Sequence, residues 1–390
     1  MNITYRINGE FLYILLDGRI DASNANDVEK RIFEIREENQ NKKTVIDADL
    51  LTYISSAGLR IILKLKKVEP EISIINVCPE VYDIFDMTGF AEMIKIEKAY
   101  RKMSVEGCQF IAKGAKGAVY RYDDETIIKV YFSKDSLPEI EQERINARKA
   151  FVLGINTAIP YGIVRIGDGY GTVTELLNAT SVSKLIIDNP NDLTVPANYF
   201  VDMLKTIHSI VVEDDKLPKC KSNVLGWLKF IAQYLPEEVN EKLLKLVNSI
   251  PDLNNMIHCD YHTNNIMVQN GEAILIDMDT LSVGHPIFEL GFMHNAFIGF
   301  YDVIKENALK FLGYSYEVSE RFWNLTLEKY FDTNDQEYLN LVHKKIRVIS
   351  YIRLFRRSIR HVEEQHREES LIVYKNKLIE LCKEIDTLEF

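Results

Sequence analysis

No apolar run in the 390 residues approaches the ~18 that a membrane-spanning helix needs, so no segment reads as a span. Cysteine is scarce as well. The five (Cys78, Cys108, Cys220, Cys259 and Cys382) are scattered, odd in number and without a CxxC pair. That spacing excludes both a zinc-ribbon site and a disulfide framework, and it fits a reducing cytosol. Positive charge is in deficit, with 47 Lys and Arg against 58 Asp and Glu and a net charge of -11. A net charge of that sign argues against broad nucleic-acid binding, which needs a cationic surface to displace counterions from phosphates. Glycine- and serine-rich linkers, repeats and low-complexity tracts are missing too. Met1 leads straight into a strand-like stretch rather than a secretory signal, and a cytoplasmic location is expected.

What remains is an ordinary globular composition, 46% hydrophobic and 27% charged, in a chain too long for one core. Residues 1–99 alternate strand and helix patterns. Phe11–Leu16 and Thr44–Leu50 read as strands, and Val28, Ile32 and Ile35 recur at helical spacing. A second helix carries Leu59, Ile62 and Leu63, a strand follows at Ile72–Val77, and a third helix ends near Gly89. This predicts a small sheet covered by helices. From about Ser104 the spacing tightens to strands around "CQFIAKG", "GAVYRY" and "TIIKVY", with "DDE" as a hairpin turn. A helix is expected over 137–153, then strands near "YGIV" and "GTVTEL". Beyond about Asn178 the pattern is mostly helical.

One polar stretch interrupts that helical half. "HCDYHTNN", His258–Asn265, lies between strand-like "NMI" and "IMV", and seventeen residues after Asp260 the strand-like "ILIDMDT" brings Asp277 and Asp279. Carboxylates and an amide at strand ends offer the hard oxygen donors that Mg²⁺ takes. Asp279 is either a second ligand or a solvated neighbour. Upstream, Gly114 and Gly117 form a turn whose backbone N–H groups can approach phosphates, and Lys129 on the next strand supplies a point charge. Glu141 and Glu143 on the following helix are candidate partners for that lysine. Each feature has a plain alternative: a simple hairpin, a capped turn, a structural histidine at His258. His208 and His262 look unremarkable. Arg353, Arg356, Arg357 and Arg360 share a helical face, read either as part of an acceptor site or, the plainer alternative, as solvated or in contact with the acidic remainder of the chain. The many tyrosines and phenylalanines are spread as packing residues.

Taken in order, these motifs resemble the aminoglycoside phosphotransferase and choline kinase branch of the protein-kinase-like fold. "HCDYHTNN" fits H-x-D-x-x-x-x-N, "LIDMD" fits the metal-binding aspartate, and "GHPIFELG" fits G-x-P-x-x-D/E-L. The resemblance implies ATP and Mg²⁺ as cofactors. It makes Asp260 the residue that orients or deprotonates an acceptor hydroxyl, Asn265 and Asp277 the metal ligands, and Lys129 the phosphate contact with Glu143 as its partner. Adenine would bond to backbone between Glu175 and Leu177. Ala112 replaces the first glycine of the kinase-like turn, and no A-P-E signature follows, which disfavours a conventional protein kinase.

Residues 1–99 resemble the STAS domain of anti-sigma factor antagonists, through "GRIDASNA", "VIDADLLTYISSAGLR" and "INVCPEVYDIFDMTGF". In "YISSAGL" either Ser55 or Ser56 can cap the next helix, and a helix N-terminus is also a seat for phosphate. The resemblance makes Ser56 the regulatory phosphorylation candidate. The expected architecture is therefore α/β followed by α+β: a STAS sheet-and-helix domain (1–99), a kinase-like N-lobe (104–178) and a helical C-lobe (179–390). The expected activity is transfer of a γ-phosphoryl group to a small hydroxylated acceptor, with a STAS regulatory module. The alternative is a partner-switching protein, regulated at Ser56, whose kinase-like part only binds nucleotide or phosphorylates a STAS serine. An anti-sigma factor or other STAS-binding partner is expected; nucleic acid and membrane are not.

Overall fold

A computed structural model describes residues 1–114, 116–213, 217–361 and 366–390. The chain divides into two compact units, Met1–Ser104 with Ile163–Asp168, and Val105–Gly162 with Gly169–Phe390.

The first unit runs β1 (Asn2–Asn8), β2 (Phe11–Ile20), α1 (Ala25–Glu38), β3 (Lys43–Ile54), α2 (Ser56–Val68), β4 (Ser73–Val77), α3 (Pro79–Met87), α4 (Phe90–Met93), β5 (Lys95–Lys98) and β6 (Arg101–Met103). Strands β1 to β5 lie side by side in chain order, β1 antiparallel to β2 and the rest parallel. Alternation in β2 buries Leu12, Ile14, Leu16 and Ile20, and the helical spacing in α1 buries Val28, Ile32 and Ile35 in the same core. Segment Ile163–Asp168 joins this unit, with Val164 opposite Arg101 of β6 in a parallel pair. Gly58 in the first turn of α2 is a steric requirement. A Cβ there would lie 2.6 Å from the Ile54 side chain and 2.8 Å from that of Ile20. The helix therefore rests its backbone directly on β2 and β3.

The second unit opens with β7 (Gln109–Lys113), β8 (Gly117–Arg121), β9 (Thr126–Tyr131), α5 (Leu137–Val152), the start of β10 (Pro160–Ile166), whose residues from Ile163 on belong to the first unit, and β11 (Gly169–Glu175). Strands β7, β8, β9 and β11 pair antiparallel in the order β7-β8-β9-β11. Asp123 makes the β8–β9 turn, its carboxylate accepting the N–H groups of Glu125 (2.9 Å) and Thr126 (2.7 Å). Then follow β12 (Thr180–Ser181), α6 (Val182–Asp188), α7 (Thr194–Ser209), α8 (Cys220–Ile231), α9 (Glu237–Ser249), β13 (Met256–Ile257), β14 (Ile266–Gln269), β15 (Glu272–Leu275), β16 (Ser282–Val283), α10 (Pro286–Phe297), α11 (Asn307–Leu312), α12 (Tyr316–Phe331), α13 (Gln336–Arg360) and α14 (Arg367–Glu384). Helices α7, α10 and α12 meet through Phe200, Phe297, Phe322 and Trp323, with ring centroids 5.3–6.1 Å apart. These four aromatics are core, as packing residues should be, whereas others such as Phe11, Phe110, Phe151 and Tyr161 are exposed. No helix among the described residues is long and apolar enough to cross a membrane.

Candidate active site in the second unit

The site begins with two hairpins. Gly117 starts β8 where a Cβ would sit 2.4 Å from the Val130 carbonyl oxygen, so only glycine lets β8 lie this close to β9. The Gly114 N–H closes the turn on the Gly117 carbonyl at 2.9 Å. The second hairpin joins β14 to β15 through Asn270 and Gly271, both at positive φ, the geometry that Asn-Gly adopts in a type I′ turn. It sets Asn265 against Ile276, whose N–H bonds the Asn265 carbonyl at 2.9 Å. Asn265 and Asp277 are thereby brought to neighbouring strand ends.

Lys129 on β9 points to two carboxylates. Its ammonium lies 3.0 and 3.2 Å from the oxygens of Glu143 on α5 and 3.5 Å from Asp277 Oδ1. Of the two candidate glutamates, Glu143 is the partner. Burial alone would lower the lysine's pKa, but Asp277, Glu143 and Tyr131 together hold it above the ordinary value. The Tyr131 hydroxyl adds a 2.7 Å bond to Glu143. Helix α5 is tied to the Asp277 segment a turn further on, where the buried Asn146 amide donates to the Met278 carbonyl at 3.0 Å. Asp277 takes a left-handed backbone (φ 66°, ψ 67°), which an aspartate tolerates better than most residues. Asp279 is neither a free ligand nor merely solvated: it forms an ion pair with Lys116 from the glycine turn.

Asp260 stands in the loop between β13 and β14. Burial would raise its pKa, but His262, Arg353 and His258 outweigh that and bring it down to about 2. Asn265, buried beside it, donates its amide to the Asp260 carbonyl at 3.0 Å, which directs its Oδ1 away from that bond. An amide oxygen and a carboxylate are a hard-oxygen set, and Mg²⁺ on a nucleotide needs only one or two protein carboxylates, with phosphate and water completing its shell. The residues fit that cation. Among the described residues no group of three His, Cys, Asp or Glu forms a metal cage on its own. At the β11 end, the Glu175 N–H bonds Ile159 (3.2 Å) and the Leu176 N–H bonds Glu125 (2.7 Å). Of the amides in Glu175–Leu177, this leaves the Leu177 N–H for a ligand.

Three groups escaped the sequence reading. Glu289 is fully buried in α10 and accepts the backbone N–H groups of His258 and Cys259 (the latter at 2.9 Å). It holds the turn in which Cys259 adopts φ 66°, just before Asp260. Its place in "GHPIFELG" was the available signal. His262 is not unremarkable: it is buried, with its Nε2 3.7 Å from Asp260 Oδ2 and its ring edge-on to Phe311. The arginine face of α13 corrects its expectation as well. Arg353 donates to the Cys259 carbonyl at 3.0 Å and lies over Phe292, while Arg356 covers Trp227 and Arg357 covers Phe300. These guanidiniums meet aromatic faces and, through Arg353, the backbone of the Asp260 loop, which periodicity along α13 cannot reveal. His258 behaves as read, its Nδ1 accepting the Asp260 N–H at 3.3 Å. His208 is a core residue bonded to Tyr330 at 2.7 Å.

In the first unit, Ser55 rather than Ser56 caps α2, its hydroxyl facing the Gly58 N–H at 3.5 Å. Ser56 is the exposed first residue of the helix.

A glycine-turn sheet carrying a lysine–glutamate pair, above an H-x-D-x-x-x-x-N loop and a second aspartate, defines a kinase-like phosphotransferase site. The chain belongs to the phosphotransferase enzyme family, whose model matches residues 107–318, just over half of its length, and a STAS domain matches residues 2–103 ahead of it. Over 95 residues the chain is 30% identical to the anti-sigma factor antagonist BtrV of Bordetella bronchiseptica, covering 80% of that protein and 23% of this chain. Solved structures similar to the chain include the amicoumacin kinase hAmiN with AMP-PNP, Ca²⁺ and its antibiotic (18% identity, TM-score 0.49, 72% of this chain and 90% of that one). Another is the streptomycin–ATP complex of the aminoglycoside phosphotransferase APH(2'')-IIa (14% identity, TM-score 0.45, 70% and 90%).

Proposed function

We propose that the second unit transfers the γ-phosphoryl group of ATP to a hydroxyl acceptor with Mg²⁺, and that the STAS domain regulates it. The observation that carries this reading is the meeting of Lys129, Glu143 and Asp277, 148 residues apart at the extremes, at one point beside the Asp260 loop. In the proposed step the acceptor oxygen attacks the γ-phosphorus, the bond to the β-bridging oxygen breaks, and ADP leaves. The hydroxyl proton passes to the Asp260 carboxylate. With its pKa near 2, Asp260 is ionised at neutral pH but a weak base, so its work is to orient the hydroxyl and to take the proton late. Lys129 neutralises phosphate charge, and Glu143 keeps it pointed at the nucleotide. Gly114, Gly117 and their turn cover the phosphates, and the Glu175–Leu177 backbone receives adenine. Asn265 and Asp277 would hold Mg²⁺, which supplies charge neutralisation on the phosphates when bound. The test is ATP turnover by the purified full chain across hydroxylated acceptors, with an Asp260→Asn variant as control.

A second reading is favoured by the exposure of Ser56. As the first residue of α2 it presents a hydroxyl that the helix cap leaves to Ser55, beside free N–H groups that favour a phosphate. On this reading Ser56 is the phosphorylated switch of a partner-binding STAS domain, facing an anti-sigma factor or another protein. Mass spectrometry of Ser56 after incubation with ATP and Mg²⁺ tests whether the chain labels itself there.

A further inference from the structure

A cavity of about 280 Å³ opens next to the catalytic loop, lined by Cys259, Thr280, Trp227, Phe292, Asp279 and Arg353, among others. Two of its lining residues connect it to the backbone on the N-terminal side of Asp260. Cys259 precedes that residue, and the Thr280 hydroxyl donates to the His258 carbonyl at 2.6 Å. Among the described residues, Arg353 is the one cation of its lining. Asp279, the acidic residue of the lining, is paired with Lys116. Arg353 reaches the wall across Phe292 (4.4 Å) and spends one N–H on the Cys259 carbonyl, which leaves donors of its guanidinium uncommitted. One turn on, Arg356 lies 5.1 Å over Trp227. No described carboxylate is within ion-pair distance of Arg353 or Arg356.

We propose that this cavity is the acceptor site and that the acceptor is a small anion, a hydroxyl compound bearing a carboxylate or phosphate, bound by Arg353 and Arg356. The proposal rests on the phosphotransfer reading above and names its substrate class. Guanidinium forks match carboxylate and phosphate geometry, and among the described residues neither arginine is engaged in an ion pair, although the Arg353 charge is felt by Asp260. Burial and the like charges of Arg360 and Arg353 pull the Arg356 pKa down, which an anion would relieve. A polycation would meet the same charges as repulsion. The volume argues for a small acceptor, since ligand pockets run from roughly 300 to 1,000 Å³.

The test uses the full chain saturated with a non-hydrolysable ATP analogue and Mg²⁺, so that phosphate-binding groups of the nucleotide site are filled. Thermal midpoints are then followed against glycerate, glycerol 3-phosphate, glycerol and kanamycin at matched ionic strength. At least one of the two anions is expected to raise the midpoint, and glycerol and kanamycin to leave it unmoved. Comparing glycerate with glycerol 3-phosphate separates carboxylate from phosphate. Arg356→Glu is expected to weaken the anion's affinity by about tenfold or more, and Arg356→Lys to recover part of it. No response to either anion, an equal response to kanamycin or glycerol, or an anion response unchanged in Arg356→Glu overturns the proposal. A midpoint raised by the nucleotide but not by the anions sinks this inference alone, whereas no response to the nucleotide sinks the phosphotransfer reading and this inference with it.

Discussion

Each unit sets a partly buried cation against carboxylate oxygens, and the two clusters are finished differently. In the first unit, Glu69 accepts the Thr44 N–H (2.7 Å), the Thr44 hydroxyl (2.5 Å) and Arg36 Nε (2.6 Å) while only 7% exposed. Its oxygens are taken up by its own fold. In the second unit, Lys129 is held by Glu143, but the Asp277 side chain it also faces remains 39% exposed and 3.5 Å away. A closed cluster ties a strand to a helix and has nothing left to offer. The open one keeps oxygens toward solvent, where a cation and phosphates would complete it.

Breaking the two clusters should therefore give different losses. The largest effect is expected next to the open cluster: Asp260→Asn lowers phosphoryl transfer by about 10²- to 10⁴-fold, read as kcat per folded molecule. In the closed cluster, Glu69→Ala leaves Arg36 without its buried partner and costs about 3–5 kcal/mol of stability, measured by denaturant unfolding of the full chain, while turnover per folded molecule is unchanged. Glu143→Gln removes a charge-assisted bond from Lys129 and weakens ATP binding by about tenfold to a hundredfold, measured by calorimetry.

The smallest effect is a pH signature. The Asp260 pKa is depressed to about 2, so the stability it contributes is present above its unfolded value near 3.9 and is lost as pH falls toward 2. No acid limb of kcat/KM above about pH 4 should then belong to Asp260. His262→Asn should move such a limb upward, because His262 is the leading group holding that pKa down. Glu69 is likewise lowered: burial opposes its charge, but Thr44 and Arg36 outweigh it. Its contribution to stability is fully present above the ordinary glutamate value and disappears as pH falls through its lowered one.

Much of both units was legible in the sequence. Alternation in Phe11–Leu16 and the helical spacing of Val28, Ile32 and Ile35 are properties of neighbouring residues, and burial of one face follows from them. The Lys129 and Asp277 convergence was readable only because short motifs, in order, point to a known fold. Contacts with no local signature escaped: Arg353 with the Cys259 carbonyl, 94 residues away, and Lys116 with Asp279, 163 residues away. Nothing in the periodicity of α13 says which face its arginines meet. The Asn270–Gly271 turn, by contrast, is a hairpin signal that the sequence carries openly and that explains how Asp277 is aimed.

In the proposed mechanism Lys129, Glu143, Asn265 and Asp277 are the protein's share of one metal–nucleotide site. Calorimetric titration of ATP into the full chain, with and without Mg²⁺, tests it most directly when repeated on Asp277→Asn. The account predicts ATP binding that Mg²⁺ tightens in the unmodified chain, and a loss of most of that Mg²⁺ effect in the variant. ATP binding with the same Mg²⁺ dependence in both, or none in either, would contradict it.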